Sequence, residues 1–386
     1  MAGIPDIESF SENTRNHVYI GLMQNPAKYM SVTSWSVLLI VFAFPSYVAA
    51  SENIRVLIAE RLRTVTIESR SGLVLEQPGR TLAGKKIVIG ADSIGTRPLR
   101  LGSEAGDIRV GGREYRGVIE VRLDRHGLLQ VINDLDIEDY LMGVVSEEIP
   151  HDWELDAVKA QAVASRTYAI YQKRLAGRRP YHITATVNTQ VYGGRRSERE
   201  STTRAVRETR GLVIVYKGKA IPAFYHSSCG GQTEDASQLW NIDAPYLKGV
   251  DCSCQEISKY GAWERRFNIK DIMSALGGIG IQARDINSIE IGRITKAGRV
   301  KDLYIRHGEG VTSVSAERLR SALGYGAIPS VFFELSLSNG EFVLSGRGMG
   351  HGVGLCQWGA RDMARRGHDF LSILGHYYPG TETARL

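Results

Sequence analysis

The chain has 386 residues, of which 43% are hydrophobic and 23% charged, a composition that can bury a core and argues against disorder. Lys and Arg number 48 against 42 Asp and Glu, a formal net charge of +6, and so mild an excess favours anionic surfaces without implying nucleic acid. The basic residues are scattered, and no basic stripe alternates with stacking aromatics, which argues against a nucleic-acid partner.

In chain order, residues 1–30 read as an N-terminal tail and 31–50 as a signal peptide or membrane anchor. Residues 35–50, WSVLLIVFAFPSYVAA, carry no charge. The run is short for a membrane span but fits the apolar core of a signal peptide, with small residues Val48-Ala49-Ala50 at a cleavage site. The residues before it are long and weakly basic for a signal. Either translation starts at Met30, or the segment stays uncleaved and holds the chain to the cytoplasmic membrane. Both readings make this an exported protein of the cell envelope, with a mature chain expected to begin near Ser51.

Residues 51–135 form a β-rich region: short β-branched runs at 55–60, 64–69, 86–91, 118–123 and 128–132 alternate with turn residues. Residues 136–386 form the catalytic region. It opens with a helix over 152–176, rich in Ala and long straight side chains, with Asp152 as its cap and Gly177 as its end. Leu155, Val158, Ala162 and Ala169 share one face of it. Strands follow near 212–216 and 221–226, a βαβ-like stretch over 269–305, a helix at 316–323, a strand pair around Ser338-Asn339-Gly340, and two short helices over 357–378. The fold class expected is α+β, a mixed β-rich core with one long Ala-rich helix bordering a cleft.

Two motifs are decoys. GRTLAGKK (79–86) nearly matches a phosphate loop but lacks the magnesium-binding hydroxyl and precedes a strand, and no His-Glu-x-x-His pair exists for a zinc peptidase. The cysteines are Cys229, Cys252, Cys254 and Cys356. In an exported chain a disulfide from Cys229 to Cys252 or Cys254 is the natural expectation, and a metal site with His226 ranks below a disulfide or plain buried thiols. No cofactor and no metal are expected.

Four segments carry the chemistry. In YLMGVVSEEIP (140–150), Glu147 and Glu148 sit between an apolar run and a helix start, where acids are ordinarily solvated. An apolar collar around Glu148 would raise its pKa and let it donate a proton. VNTQVYGG (187–194) places Gln190 and Tyr192 on one face of a strand. FYHSSCGGQT (224–233) brings His226, Ser227 and Thr233 to the end of an apolar strand. In GRGMGHGVGLCQWG (346–359), glycines at period two leave one face of an extended strand bare, beside His351, Gln357 and Trp358. Trp and Gln suit sugars, one offering a flat apolar face and the other both donor and acceptor.

Together with the AVKAQAVASRTYA helix, these segments resemble the stage II sporulation protein D family (SpoIID/LytB), over roughly residue 54 to the C-terminus. The resemblance implies an exported peptidoglycan-active protein. Sporulation members are lytic transglycosylases acting on glycan strands freed of stem peptides, and their catalytic acid falls on Glu148 here. Other members enhance cell-wall amidases, so a non-catalytic enhancer with an amidase as partner is the alternative. Some relatives bind zinc through cysteines before the Gln of the QVY motif. The corresponding HITATVNTQ has His182 but no cysteine, so that site is expected to be absent. Arg166, Gln190, Tyr192, His226, Ser227, Thr233, His351, Gln357 and Trp358 are the candidates to hold peptidoglycan glycan strands or orient the acid. A thiol enzyme using Cys356 with His351 is a third reading, weakened by the apolar setting of Cys356.

Overall fold

The computed structural model describes residues 52–76, 84–186 and 189–386. The 1–30 tail, the 31–50 segment, the expected start at Ser51, most of the phosphate-loop decoy and residues 187–188 lie outside them.

The β-branched runs of the N-terminal region become strands of two sheets. One has six strands, in the order Ile183–Thr184, Asn53–Leu62, Leu129–Asp136, Val118–Leu123, Leu99–Ser103 and Leu73–Leu75. The other has four and is built on Thr64–Ser69 and Lys86–Gly90. Alternation along Leu129–Asp136 puts Leu129, Val131 and Leu135 in the core. With 21 strands and eight α-helices among the described residues, the fold is α+β.

Directly after that strand, Asp136 caps an unexpected helix, α1 (Ile137–Glu148), by accepting the Glu138 N–H at 2.8 Å. The apolar run YLMGVV is thus helical. Gly143 is what lets the QVYGG segment lie against it, because a Cβ there would meet the Tyr192 ring at 2.7 Å. The Ala-rich helix follows as α2 (Leu155–Ala176), beginning three residues later than expected, with Glu154 rather than Asp152 at the cap position. Gly177 ends it at φ 54°.

Helix α2 is buried on two sides. Val158, Ala162 and Ala169 join the core of the six-stranded sheet. Ala160, Val163 and Ala164 join a second core with Ile221, Ala223, Val353, Leu355 and Tyr378 from the C-terminal part. Alanine suits such a position because two layers can approach one helix closely. A third core, from Trp263 to Leu344, belongs to the stretch between the two cleft-forming segments. There the βαβ-like reading of 269–305 does not hold: helix Ile269–Gly278 leads into an antiparallel meander, Ser288–Ile291, Asp302–His307 and Gly310–Ser315. Helix Ala316–Leu323 and the hairpin Phe333–Ser338 with Glu341–Gly346 match expectation. Asn339 and Gly340, at φ 53° and 78°, make the hairpin turn.

Candidate active site

Glu148 is the last residue of α1. The sequence suggested a helix start, whose dipole favours a carboxylate; at a helix C-terminus the dipole opposes one. Burial is the leading influence and raises the Glu148 acid to about 7. It prevails over three donors that favour the ionised form: the Tyr225 hydroxyl at 3.2 Å, the Val191 N–H and the Gln357 amide. Ile149 then turns extended, at φ −138° and ψ 152°, as the following proline requires.

The carboxyl lines a cavity of about 510 Å³ walled by Tyr168, Phe224, Tyr225, His226, Ser227, Trp240, His351 and Gln357, and among the described residues it is the one carboxylate there. Trp240, Arg320, Gly350 and His351 also border an adjoining cavity of about 670 Å³ that runs toward Tyr325. Glu147 points elsewhere. It is exposed, bonds the Ser197 hydroxyl, and lines a separate hollow with Arg113, Arg196 and Arg199.

Behind Glu148 runs an ordered line of donors. Tyr140 donates to the Gln190 side-chain oxygen at 3.1 Å, Gln190 Nε2 donates to the Tyr225 hydroxyl at 3.0 Å, and Tyr225 donates to Glu148 Oε1. Gln190 Nε2 also bonds the Ser165 carbonyl at 3.2 Å. Gln190 is therefore buried beneath the acid and reaches it through Tyr225. The segment that carries it is irregular, not a strand.

The Gly-rich run is not a bare extended strand. Gly348, Gly350, Gly352 and Gly354 all take positive φ, from 73° to 103°, and fold the chain against the 224–229 segment. Ser228 and Met349 exchange backbone hydrogen bonds of 3.0 and 2.7 Å, and a Cβ on Gly350 would meet His226 Cβ at 2.8 Å. This docking sets both histidines. His351 Nδ1 accepts from the Val353 N–H at 3.1 Å, so its proton lies on Nε2 and is donated to the Tyr225 carbonyl at 3.0 Å. Burial depresses this ring to about 4 and keeps it neutral. His226 Nδ1 lies 3.1 Å from the Val353 carbonyl and donates to it, while its buried Nε2 has no partner among the described residues. Burial drives His226 well below its usual range too.

The structure thus gathers Glu148, His226, Ser227, His351 and Gln357 around one cavity, with Gln190 behind it. Four other candidates stay away from it. Arg166 is fully buried, donates from Nε and Nη2 to Glu138, at 2.9 and 2.6 Å, and also bonds the carbonyls of Val206 and Leu212. Tyr192 packs on Tyr140 and donates to Asn133 at 3.0 Å. Thr233 ties its hydroxyl to the backbone of Val250. Trp358 stacks edge-on against Trp153, at 5.1 Å between centroids. Sequence reasoning passed over Tyr225, Trp240 and the polar positions of α2. Gln161, Ser165 and Tyr168 recur at i, i+4 and i+7 of α2, a spacing that puts three polar side chains on one face. Gln161 accepts from Gln357 Nε2 at 3.3 Å. His182 accepts the Arg55 N–H at 3.1 Å, and burial lowers it to about 4.

The disulfide expectation is corrected: all four cysteines are free thiols. The thiol-enzyme reading has no geometry behind it, since Cys356 is fully buried and both ring nitrogens of His351 are engaged with backbone groups. Among the described residues no helix is long and apolar enough to cross a membrane.

Comparison with known proteins bears on the same residues. Residues 125–216, which contain Glu148, match the family model described as stage II sporulation protein, and residues 235–354 match a domain of unknown function. Over 277 residues the chain is 34% identical to an uncharacterized protein of Brachyspira hyodysenteriae, covering 71% of this chain and 73% of that one. It is 29% identical to the amidase enhancer of Bacillus subtilis, over 62% of this chain but 40% of that protein. It is 28% identical to stage II sporulation protein D of Bacillus amyloliquefaciens, over 65% of this chain and 75% of that one.

Proposed function

The chain belongs to the stage II sporulation protein D family, and from that premise we propose that it is an exported lytic transglycosylase acting on peptidoglycan glycan strands, with Glu148 as its single acid and base. The observation that carries the reading is a lone cavity carboxyl whose acid form persists to about pH 7. Two-carboxylate glycosidases need a second acid at a set separation across the bond. Intramolecular transfer needs one.

Tyr225 donates to Oε1, which leaves Oε2 to carry the transferable proton of a carboxyl that lines the cavity. Glu148 gives it to the glycosidic oxygen as the bond to the anomeric carbon of the N-acetylmuramic acid residue breaks. The sugar's own C6 hydroxyl then closes on that carbon and returns its proton to Glu148. The product ends in a 1,6-anhydro ring, water is not consumed, and the acid is restored for the next turnover. Tyr225 steadies the carboxylate between the two proton transfers. Trp240, Tyr168 and Phe224 offer flat apolar faces to sugar rings, and His226 Nε2 offers an acceptor to a sugar hydroxyl.

The test is to digest peptide-free glycan strands with the purified chain and analyse the new ends by mass spectrometry. Anhydro ends are expected. Hydrolytic reducing ends would replace this mechanism with water attack. Unchanged strands, with a co-purified cell-wall amidase stimulated instead, would favour the enhancer reading that the Bacillus subtilis relative suggests.

A further inference from the structure

We propose that Cys229, Cys252, Cys254 and Cys356 together bind one zinc ion, in a structural site that clamps the two segments forming the wall of the Glu148 cavity. Cys356 is remote in sequence from Cys229, Cys252 and Cys254, yet the four sulfurs all lie within 4.8 Å of one another, and no other cluster of metal-binding side chains occurs among the described residues. A tetrahedral zinc with Zn–S bonds of about 2.3 Å holds its sulfurs about 3.8 Å apart, a spacing that fits such a cluster. Cys229 and Cys254, at 3.4 Å between sulfurs, are close to that spacing and far from bonded. Cys229, Cys254 and Cys356 are buried and Cys252 is partly exposed, which leaves a side for the ion to enter.

The surroundings suit a cluster that carries two net negative charges when zinc is bound by four thiolates. Backbone N–H groups of Cys229 and Gly359 both point at Cys356 Sγ, at 3.3 and 3.4 Å. Ser228 Oγ lies 3.5 Å from Cys254 Sγ, and the Tyr377 hydroxyl lies 3.2 Å from Cys252 Sγ. Cys356 also caps the nine-residue helix Gln357–Arg365, so the positive end of a helix dipole faces its sulfur. The buried guanidinium of Arg299 bonds the Cys229 carbonyl at 2.8 Å. Hydrogen bonds to sulfur and nearby positive charge are what hold metal-bound thiolates in a low-dielectric site. On binding, each thiol releases its proton to solvent and the sulfur lone pair goes to the ion.

The placement assigns the ion a task. Cys229 lies two residues beyond Ser227, and Cys356 immediately precedes Gln357. Cys252 and Cys254 hold the irregular segment that leads to the third core, with the Cys252 N–H on the Gly231 carbonyl at 2.9 Å. One ion therefore fixes the cavity wall and the root of the stretch that begins at Trp263.

The experiment uses the full chain purified without chelator. Elemental analysis is expected to give one zinc per chain. Thiol titration after unfolding in chelator is expected to give four reactive cysteines, and the intact mass should show no hydrogen lost to disulfides. Exchange with cobalt(II) should give the intense visible absorption of tetrahedral sulfur ligation. Cys254→Ser should lose the metal and melt several degrees lower. Should that variant fail to fold, the metal, thiol and cobalt measurements on the parent decide alone. A parent chain with two disulfides, with four thiols and no metal, or with iron in place of zinc overturns the proposal. Glu148→Gln should keep its zinc, so loss of strand cleavage and loss of the metal site are separable results.

Discussion

In the proposed reaction one carboxyl carries the chemistry, and its pH behaviour follows from its surroundings. Glu148 titrates at about 7 in the folded chain, because burial outweighs its donors, against about 4.3 in an unfolded one. A general acid must hold its proton, so kcat/KM on glycan strands should fall above about pH 7 with the slope of a single deprotonation. A carboxyl raised on folding binds its proton more tightly in the native state, so ionisation destabilises the fold as pH rises through that window. Glu148→Gln should therefore melt higher than the parent at pH 8, by about 4 kcal/mol at most, and at the parent's temperature at pH 4. Tyr225→Phe removes a donor that favours the carboxylate, so the alkaline limb of the rate profile should move up by about one pH unit. An unmoved limb would mean that Tyr225 does not govern the acid. The sequence already set Glu148 apart from Glu147, since Glu148 abuts Ile149-Pro150, and the structure places Glu148 in the cavity and Glu147 outside it. The position of Glu148 at a helix end was not read, because the helix expected from the sequence starts at Asp152 and passes over the cap signal of Asp136, with Glu138 and Asp139 in the first turn.

At the scale of elements, α1, α2 and the strand at Leu212–Tyr216 are pinned by one buried ion pair, Arg166 with Glu138. Removing one partner leaves an uncompensated charge in the core, so Arg166→Met should cost about 3–5 kcal/mol of stability. Adding Glu138→Leu should recover much of it, while the KM of whatever folded enzyme remains stays at the parent value. A raised KM at full stability would return Arg166 to the substrate site. The glycine run makes a second case. Gly350→Ala places a side chain at φ 103° and against His226, so a loss of about 1–3 kcal/mol is expected, read as a lower denaturant midpoint. Period-two glycines look the same in a sequence whether the strand is extended or alternates through positive φ. Only the facing segment, Ser228 against Met349, chooses between them. The long Ala-rich helix was legible because its signal is local, whereas the reason for its alanines, two cores meeting on one helix, was not.

At the scale of the molecule, the site is a meeting of distant segments. Tyr225 reaches Glu148 across 77 positions, and Gln357 reaches Gln161 across 196. No local pattern encodes such pairings, which is why Tyr225, Trp240 and the convergence of four cysteines emerge only in the folded chain. The α+β class and five of the ten strands of the two N-terminal sheets could be read directly, since alternation is a property of each strand alone, whereas three-residue strands such as Leu73–Leu75 and Ile108–Val110 are too short to show it. The central claim is that one carboxyl of an adjacent pair does all the proton transfer. The direct measurement is a paired assay of Glu148→Gln and Glu147→Gln on peptide-free glycan strands, with circular dichroism to establish that both fold. Glu148→Gln should lose on the order of 10²–10⁴-fold in cleavage rate while retaining strand binding, and Glu147→Gln should lose far less. Cleavage by Glu148→Gln at the parent rate would contradict the account.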